Sequence, residues 1–186
     1  MNRVVVTGIG IYSCIGQDID TVRDSLYNGK SGIGYDQIRK DYGFRSGLTG
    51  IVPAPQLKGV LDRRQRVGLA EQGEYAYLST VQALTQSGLD QDLLEKYEAG
   101  ILFGNDSSAK AVIEANDTIR AKKDTTLLGS GSIFQSMNCT VNMNLATIFK
   151  LKGINFTISA ACASGSHSIG LGYLMIKWGL QECVIC

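Results

Sequence analysis

The sequence predicts a single α/β domain. Short runs of β-branched and apolar residues alternate with stretches of helical periodicity, 44% of residues are hydrophobic, and 22 glycines stand against 2 prolines, so turns are plentiful and helix breakers few. A chain of 186 residues is long enough to bury its own core and fits one domain.

Val4, Val5 and Val6 open the chain as a buried strand over residues 3–6. Ile19, Val22 and Leu26 fall at i, i+3 and i+7, which predicts an amphipathic helix beginning near Asp18 and ending at Gly29. A looser segment follows. Tyr77, Val81 and Leu84 predict a helix that closes at Gly88, and Gly100-Ile101-Leu102-Phe103-Gly104 reads as a buried strand. Residues 116–132, polar and carrying Gly129-Ser130-Gly131, read as a surface loop. Met137, Val141, Leu145 and Ile148 predict a helix capped by Gly153. Phe156 and Ile158 alternate with Thr157 and Ser159 as a strand, and Ile169, Leu171, Leu174, Met175, Ile176 and Trp178 give the helix after it. The run Cys183-Val184-Ile185-Cys186 reads as the start of a core strand, and its abrupt apolar finish suggests an incomplete unit.

A formal net charge of +1 argues against bulk electrostatic binding to nucleic acid or membranes. The opening apolar run is too short for a signal peptide and no stretch reaches the length of a membrane span, so the expected compartment is the cytoplasm. Five scattered cysteines suit free thiols in a reducing compartment. Cys183 and Cys186 have CxxC spacing, but with one histidine in the chain and no second pair, no metal site is expected. Two phosphate motifs fail. Asn28-Gly29-Lys30-Ser31 ends like a P-loop, yet Asp24 stands where its first glycine belongs; Gly8-Ile9-Gly10 follows a strand, yet Ser13 stands where a dinucleotide fingerprint needs its third glycine. Gly8 and Gly10 are expected to serve close backbone packing.

The most informative residue is Cys162, in Asn155-Phe156-Thr157-Ile158-Ser159-Ala160-Ala161-Cys162-Ala163-Ser164-Gly165-Ser166-His167, where a strand ends and a helix begins. Free N–H groups at a helix start favour an anion such as a thiolate by roughly 0.3–1 kcal/mol, and can hold a developing oxyanion. Position alone leaves two readings open, an activated nucleophile and a buried cysteine acting as a small hydrophobe. His167 does not complete a dyad: five residues along a helix turn its side chain about 140° away from that of Cys162. It is expected to be a packed, hydrogen-bonded helix residue.

Four segments carry a resemblance across nearly the whole chain: residues 3–10, Asn28-Gly29-Lys30-Ser31-Gly32-Ile33, Leu145-Ala146-Thr147-Ile148-Phe149-Lys150, and residues 154–170 around Ser159-Ala160-Ala161-Cys162-Ala163-Ser164-Gly165. In family order, they resemble the N-terminal half of the β-ketoacyl-acyl-carrier-protein synthases. The nearest likeness is to the elongating condensing enzymes of fatty-acid synthesis and their polyketide and aryl-polyene relatives.

The resemblance implies a thiolase-like fold, a mixed β-sheet layered with α-helices, with residues 1–186 as its first half and the second half absent. It implies that Cys162 accepts an acyl group from acyl carrier protein. A malonyl unit on carrier protein is then decarboxylated and attacks the thioester, lengthening the chain by two carbons. The decarboxylating groups, two histidines and a lysine, belong to the missing half, so condensation by these residues alone is not expected. No cofactor or metal is implied.

Where the family commonly has a glycine-rich turn, this chain has Asn105-Asp106-Ser107-Ser108. By resemblance Asn105, Asp106 and Ser107 line the acyl pocket with Met137 and Asn138, the latter two from a segment that crosses a dimer interface. Arg63, Arg64 and Arg66, with Arg45, resemble the patch that docks the acidic carrier protein, for which guanidinium forks are suited. The implied assembly is a homodimer or a ketosynthase heterodimer. A non-catalytic partner subunit that shapes chain length is the alternative, against which the retained cysteine counts. Other thiolase-like enzymes acting on coenzyme A thioesters share the junction cysteine but not the extended motif.

Overall fold

In the computed structural model, which describes all of Met1–Cys186, Asp18 caps the first helix, α1 (Ile19–Tyr27), by accepting from the Thr21 N–H at 2.8 Å. Past it, an antiparallel pair, β1 (Ile33–Tyr35) and β2 (Leu48–Gly50), brackets the short helix α2 (Gln37–Asp41). A capping box between Asp62 and Gln65 starts α3 (Arg63–Gly68). Helix α4 (Glu71–Ser87) stops at Gly88, whose left-handed φ of 72° suits glycine. Then come α5 (Gln91–Lys96), the buried strand β3 (Gly100–Gly104), α6 (Ala109–Lys122), α7 (Gly131–Gln135) and α8 (Thr140–Ile148). Strand β4 (Asn155–Ile158) leads through a 3₁₀ turn, Ala161–Ala163, into α9 (Ser164–Lys177), and β5 (Val184–Ile185) follows.

The main sheet has three parallel strands in the order β4-β3-β5, with Gly104 opposite Ile158 and Gly100 opposite Val184. Both strand orientations expected of a mixed sheet are present, but in separate sheets. Helices α8 and α9 both pack on β3. The core joins Ile101 of β3 to Val141 and Leu145 of α8, Ala76 and Tyr77 of α4, and Leu57, Leu61 and Leu69 ahead of it. Tyr77 stacks on Phe149 with ring centroids 5.6 Å apart.

Several sequence expectations need correction. Residues 3–6 form no strand, and Val5 and Val6 are exposed. A strand needs a ladder partner, and residues 4–12 rest on α4 while an apolar cleft of about 770 Å³ lies between them and β5 and α9. Gly8 and Gly10 lie against the main chain of Ala83 and Ser79 with no room for a Cβ, as the close-packing reading required. The looser segment after α1 holds the β1–β2 pair and α2, elements too short to show periodicity.

The expected loop over residues 116–132 is helical as far as Lys122, where α6 ends on Lys123 in the left-handed region. No residue of α6 is fully buried; one face, Ala111, Ala115, Thr118 and Ile119, is half-buried, and its small or polar members leave little apolar signal, while good helix formers such as Ala111, Ala115 and Ala121 carry the helix. Helix α8 starts at Thr140, after Met137, and ends at Ile148, with Phe149 as its C-cap. Gly153 does not cap it but sits tight against Gln181 and the Glu98 carbonyl.

Only 24 of 186 residues are buried, so much apolar surface has no cover within these residues, including Val5, Val6, Ile9, Phe134, Phe156, Ile169 and Trp178. Phe156 reverses the expected alternation: it projects from the edge strand β4 at 50% exposure, while Thr157 is the residue tied inward.

Candidate active site

Strand β4 ends at Ile158 and α9 begins at Ser164, and the turn between them holds Cys162, an exposed residue. No side chain caps α9, and the N–H of Ser164, its first residue, bonds back to the Ala161 carbonyl of the 3₁₀ turn. Ala161, just before the cysteine, has φ +47°, a left-handed conformation that costs a non-glycine residue of order 1–3 kcal/mol unless its surroundings fix it.

The surroundings do fix it. Ser164 is buried, and its hydroxyl accepts from the Ala160 N–H at 2.8 Å and donates to the Ala161 carbonyl at 2.7 Å. The Ala163 N–H closes the 3₁₀ turn on the Ala160 carbonyl at 3.0 Å. From across the sheet, Asp106 Oδ1 accepts from the Ser159 hydroxyl at 2.5 Å and from the Ala161 N–H at 3.1 Å. The Ser159 bond, and after it the Ala161 bond, holds the Asp106 carboxyl below the usual carboxylate range.

The residues expected at the acyl pocket come together. Asn105 Nδ2 donates to the Asn138 carbonyl at 2.7 Å, and Asn138 Nδ2 donates to the Asp106 carbonyl at 3.3 Å. Ser107 Oγ accepts from the Ala109 N–H at 3.3 Å, turning the loop into α6. Met137 lies in the connection between α7 and α8 rather than on a helix, 41% exposed. Its carbonyl accepts from Ser108 Oγ at 3.1 Å.

The arginines are spread over two elements. Arg63, Arg64 and Arg66 lie on α3, and Arg45 on the loop after α2. Arg45, Arg63 and Arg64 are exposed, whereas Arg66 turns Nε back to the Leu61 carbonyl at 3.2 Å. His167 is exposed on α9, against the expectation that it packs; with Cys162 it makes no dyad.

Three structural residues escaped the sequence reading. Ser108 is buried and accepts from Gln72 Nε2 at 2.9 Å, joining the loop to α4. Ser159 and Ser164 flank the cysteine, and the signal for them was present: small hydroxyl residues in a strand-to-helix turn bond the local main chain.

Fold and turn together define an α/β domain that presents a cysteine where a parallel strand gives way to a helix. The chain belongs to the β-ketoacyl synthase family: the family model described as "Beta-ketoacyl synthase, N-terminal domain" matches residues 1–186. It is 33% identical to the 3-oxoacyl-[acyl-carrier-protein] synthase 1 of Buchnera aphidicola subsp. Schizaphis graminum (strain Sg) and 34% identical to that of Escherichia coli (strain K12). Each match covers 99% of this chain and 46% of the relative. The crystal structure of a β-ketoacyl synthase from Burkholderia phymatum STM815 matches with a TM-score of 0.83 at 26% identity, over 97% of this chain and 45% of that one. The chain thus spans about half the length of the curated relatives it matches. Its α/β, thiolase-like fold is the one the sequence predicted, and no helix is long and apolar enough to cross a membrane.

Proposed function

We propose that residues 1–186 are the cysteine-bearing half of a β-ketoacyl-[acyl-carrier-protein] synthase and that Cys162 is its acyl acceptor. The observation that carries this is the exposed residue Cys162 on a braced turn at the start of α9, where no side chain caps the helix, in a chain of this family. In the transfer step the Cys162 thiolate attacks the thioester carbonyl of an acyl group on carrier protein. A C–S bond forms to Cys162, the bond to the phosphopantetheine sulfur breaks, and that sulfur leaves as a thiolate that takes up a proton. Malonyl decarboxylation and condensation follow with groups outside residues 1–186, the histidines and lysine implied by the resemblance. The uncovered apolar surface supports a second half packed against this one.

The loop over Asn105, Asp106 and Ser107, held to Met137 and Asn138, is the proposed wall of the acyl pocket. Arg63 and Arg64, with Arg45 and Arg66, are the proposed contact for the acidic carrier protein, the partner named in the relatives' activity. A second ketosynthase subunit, identical or related, is proposed along edge strand β4, where Phe156 is exposed. Five free thiols fit the cytoplasm as the setting.

The test is intact-mass spectrometry of the full-length protein after incubation with an acyl-carrier-protein thioester, with Cys162→Ala as control. An adduct of one acyl group that needs Cys162 is the expected result. A folded protein that takes up no acyl group is instead a non-catalytic partner subunit.

A further inference from the structure

The geometry points to Asp106 as a positioning residue for Cys162, acting through the main chain of the turn before it. This rests on Cys162 being the acyl acceptor. One carboxylate oxygen, Oδ1, receives both the Ser159 hydroxyl and the Ala161 N–H. Ser159 is where the chain leaves β4, and Ala161 is the residue of left-handed φ directly before the cysteine. A single atom therefore pins both ends of the bend.

Asp106 is itself held in place. Its carbonyl accepts from Asn138 Nδ2, while Asn105 bonds to the Asn138 carbonyl and Ser108 to the Met137 carbonyl. The cysteine turn is thus tied to the 105–108 and 137–138 segments, the proposed walls of the acyl pocket. A displacement of either wall reaches Cys162 through two hydrogen bonds and one side chain. The glycine-rich turn that the resemblance leads one to expect at this place has no side chain to make either bond, so this coupling belongs to the present sequence.

Because both donors converge on one oxygen, the shape of the side chain matters more than its charge. An asparagine offers the same Oδ1 as an acceptor. A glutamate carries its oxygens one C–C bond, about 1.5 Å, too far. An alanine offers nothing.

The experiment measures the second-order rate of iodoacetamide alkylation at Cys162 in the full-length protein at neutral pH, by peptide mass, with melting temperature read alongside. We expect Asp106→Ala and Asp106→Glu to slow it by about three- to tenfold and Asp106→Asn to stay within about twofold of the parent. Ser159→Ala, which removes one of the two donors, falls in between and is less than additive with Asp106→Ala. Equal rates across the series overturn the assignment. So does equal slowing by asparagine and alanine, the mark of a merely structural role. Alkylation needs no acyl substrate, so failure of the acyl-acceptor reading, a protein alkylated at Cys162 but never acylated, is seen separately from failure of this one.

Discussion

Gly104, the last residue of β3, lies so close to Ser164 at the start of α9 that a Cβ on it would stand 2.6 Å from the Ser164 carbonyl oxygen and 2.5 Å from the Gly165 nitrogen. Both obstacles are main chain and cannot rotate aside. Gly104→Ala must lift α9 off the sheet, and with it Ser164, whose hydroxyl braces both Ala160 and Ala161. Overpacking of this kind costs about 1–3 kcal/mol. We expect a loss of at least that size in urea unfolding, together with slower labelling of Cys162. Parent-like stability would show that the strand and helix have room to part.

Asn142 is a polar side chain at the centre of the core. It is 1% exposed, donates to the Phe156 carbonyl at 2.9 Å and to the Ile101 carbonyl at 3.4 Å, and accepts from Thr157 Oγ1 at 2.9 Å. It thereby joins α8 to both β3 and β4 just before the cysteine turn. Asn142→Leu keeps the branching and the number of side-chain heavy atoms, adds some bulk and strips partners from buried groups, a change worth about 2–4 kcal/mol in denaturant unfolding. Thr157→Val removes one bond and is expected to cost about 1 kcal/mol, with the double variant less than additive. Strict additivity would mean that the two side chains act independently.

The cysteines separate by pH. Burial first, and then the neighbouring Cys183, pushes the Cys186 thiol up to about 11, and burial raises Cys183 as well. Although Cys186 as a residue is exposed, its sulfur packs against Gly172 and donates to the Ser168 carbonyl at 3.5 Å. A raised thiol stays protonated where a free one has ionised, so labelling of Cys186 is slow at pH 7.5 and climbs only as pH nears 11. Exposed Cys162 labels ahead of it throughout that range. By linkage, the stability from keeping these thiols neutral is complete below pH 9, the unperturbed value, and is lost as pH rises towards 11. Peptide mapping of labelled protein against pH checks the order, and Cys186 labelling as fast as Cys162 at pH 7.5 would refute it.

The Asp106 clamp has the opposite sign. Its carboxyl is held low, so the charged form persists above the ordinary carboxylate range and is lost only as pH falls through and below it. A decline in Cys162 reactivity near pH 6 is therefore not the work of Asp106.

Legibility in the sequence followed periodicity and burial. Strand β3 was plain because a run of apolar residues between glycines is buried throughout. Helix α6 was not, because its half-buried face is made of Ala111, Ala115 and Thr118 with Ile119 as the one large apolar residue, too weak a stripe to count. Residues 3–6 misled for the converse reason: Val4, Val5 and Val6 have strand composition, but a strand is made by its neighbour, and here a cleft intervenes. At the site, Cys162 was legible because strand and helix patterns meet there. The bond from Asp106 to Ala161 spans 55 positions in sequence, and no local pattern encodes it.

The arginines of α3 lead to a prediction about salt. Arg63 and Arg64 are exposed and in no ion pair within the chain, so their guanidinium groups are free to meet an acidic surface. An exposed pair is worth about 0.2–1 kcal/mol, and reversing a charge also adds repulsion. Arg63→Glu with Arg64→Glu is expected to weaken carrier-protein binding about tenfold or more at low salt. The difference should shrink by half-molar salt, where screening acts within a few ångströms, about 4 Å. Arg66→Ala should differ in kind: its Nε bonds the Leu61 carbonyl, so stability falls before binding does. Calorimetric titration at both salt levels decides the matter. Double charge reversal that leaves affinity unchanged at low salt would remove α3 from the docking surface and turn attention to Arg45 on its separate loop.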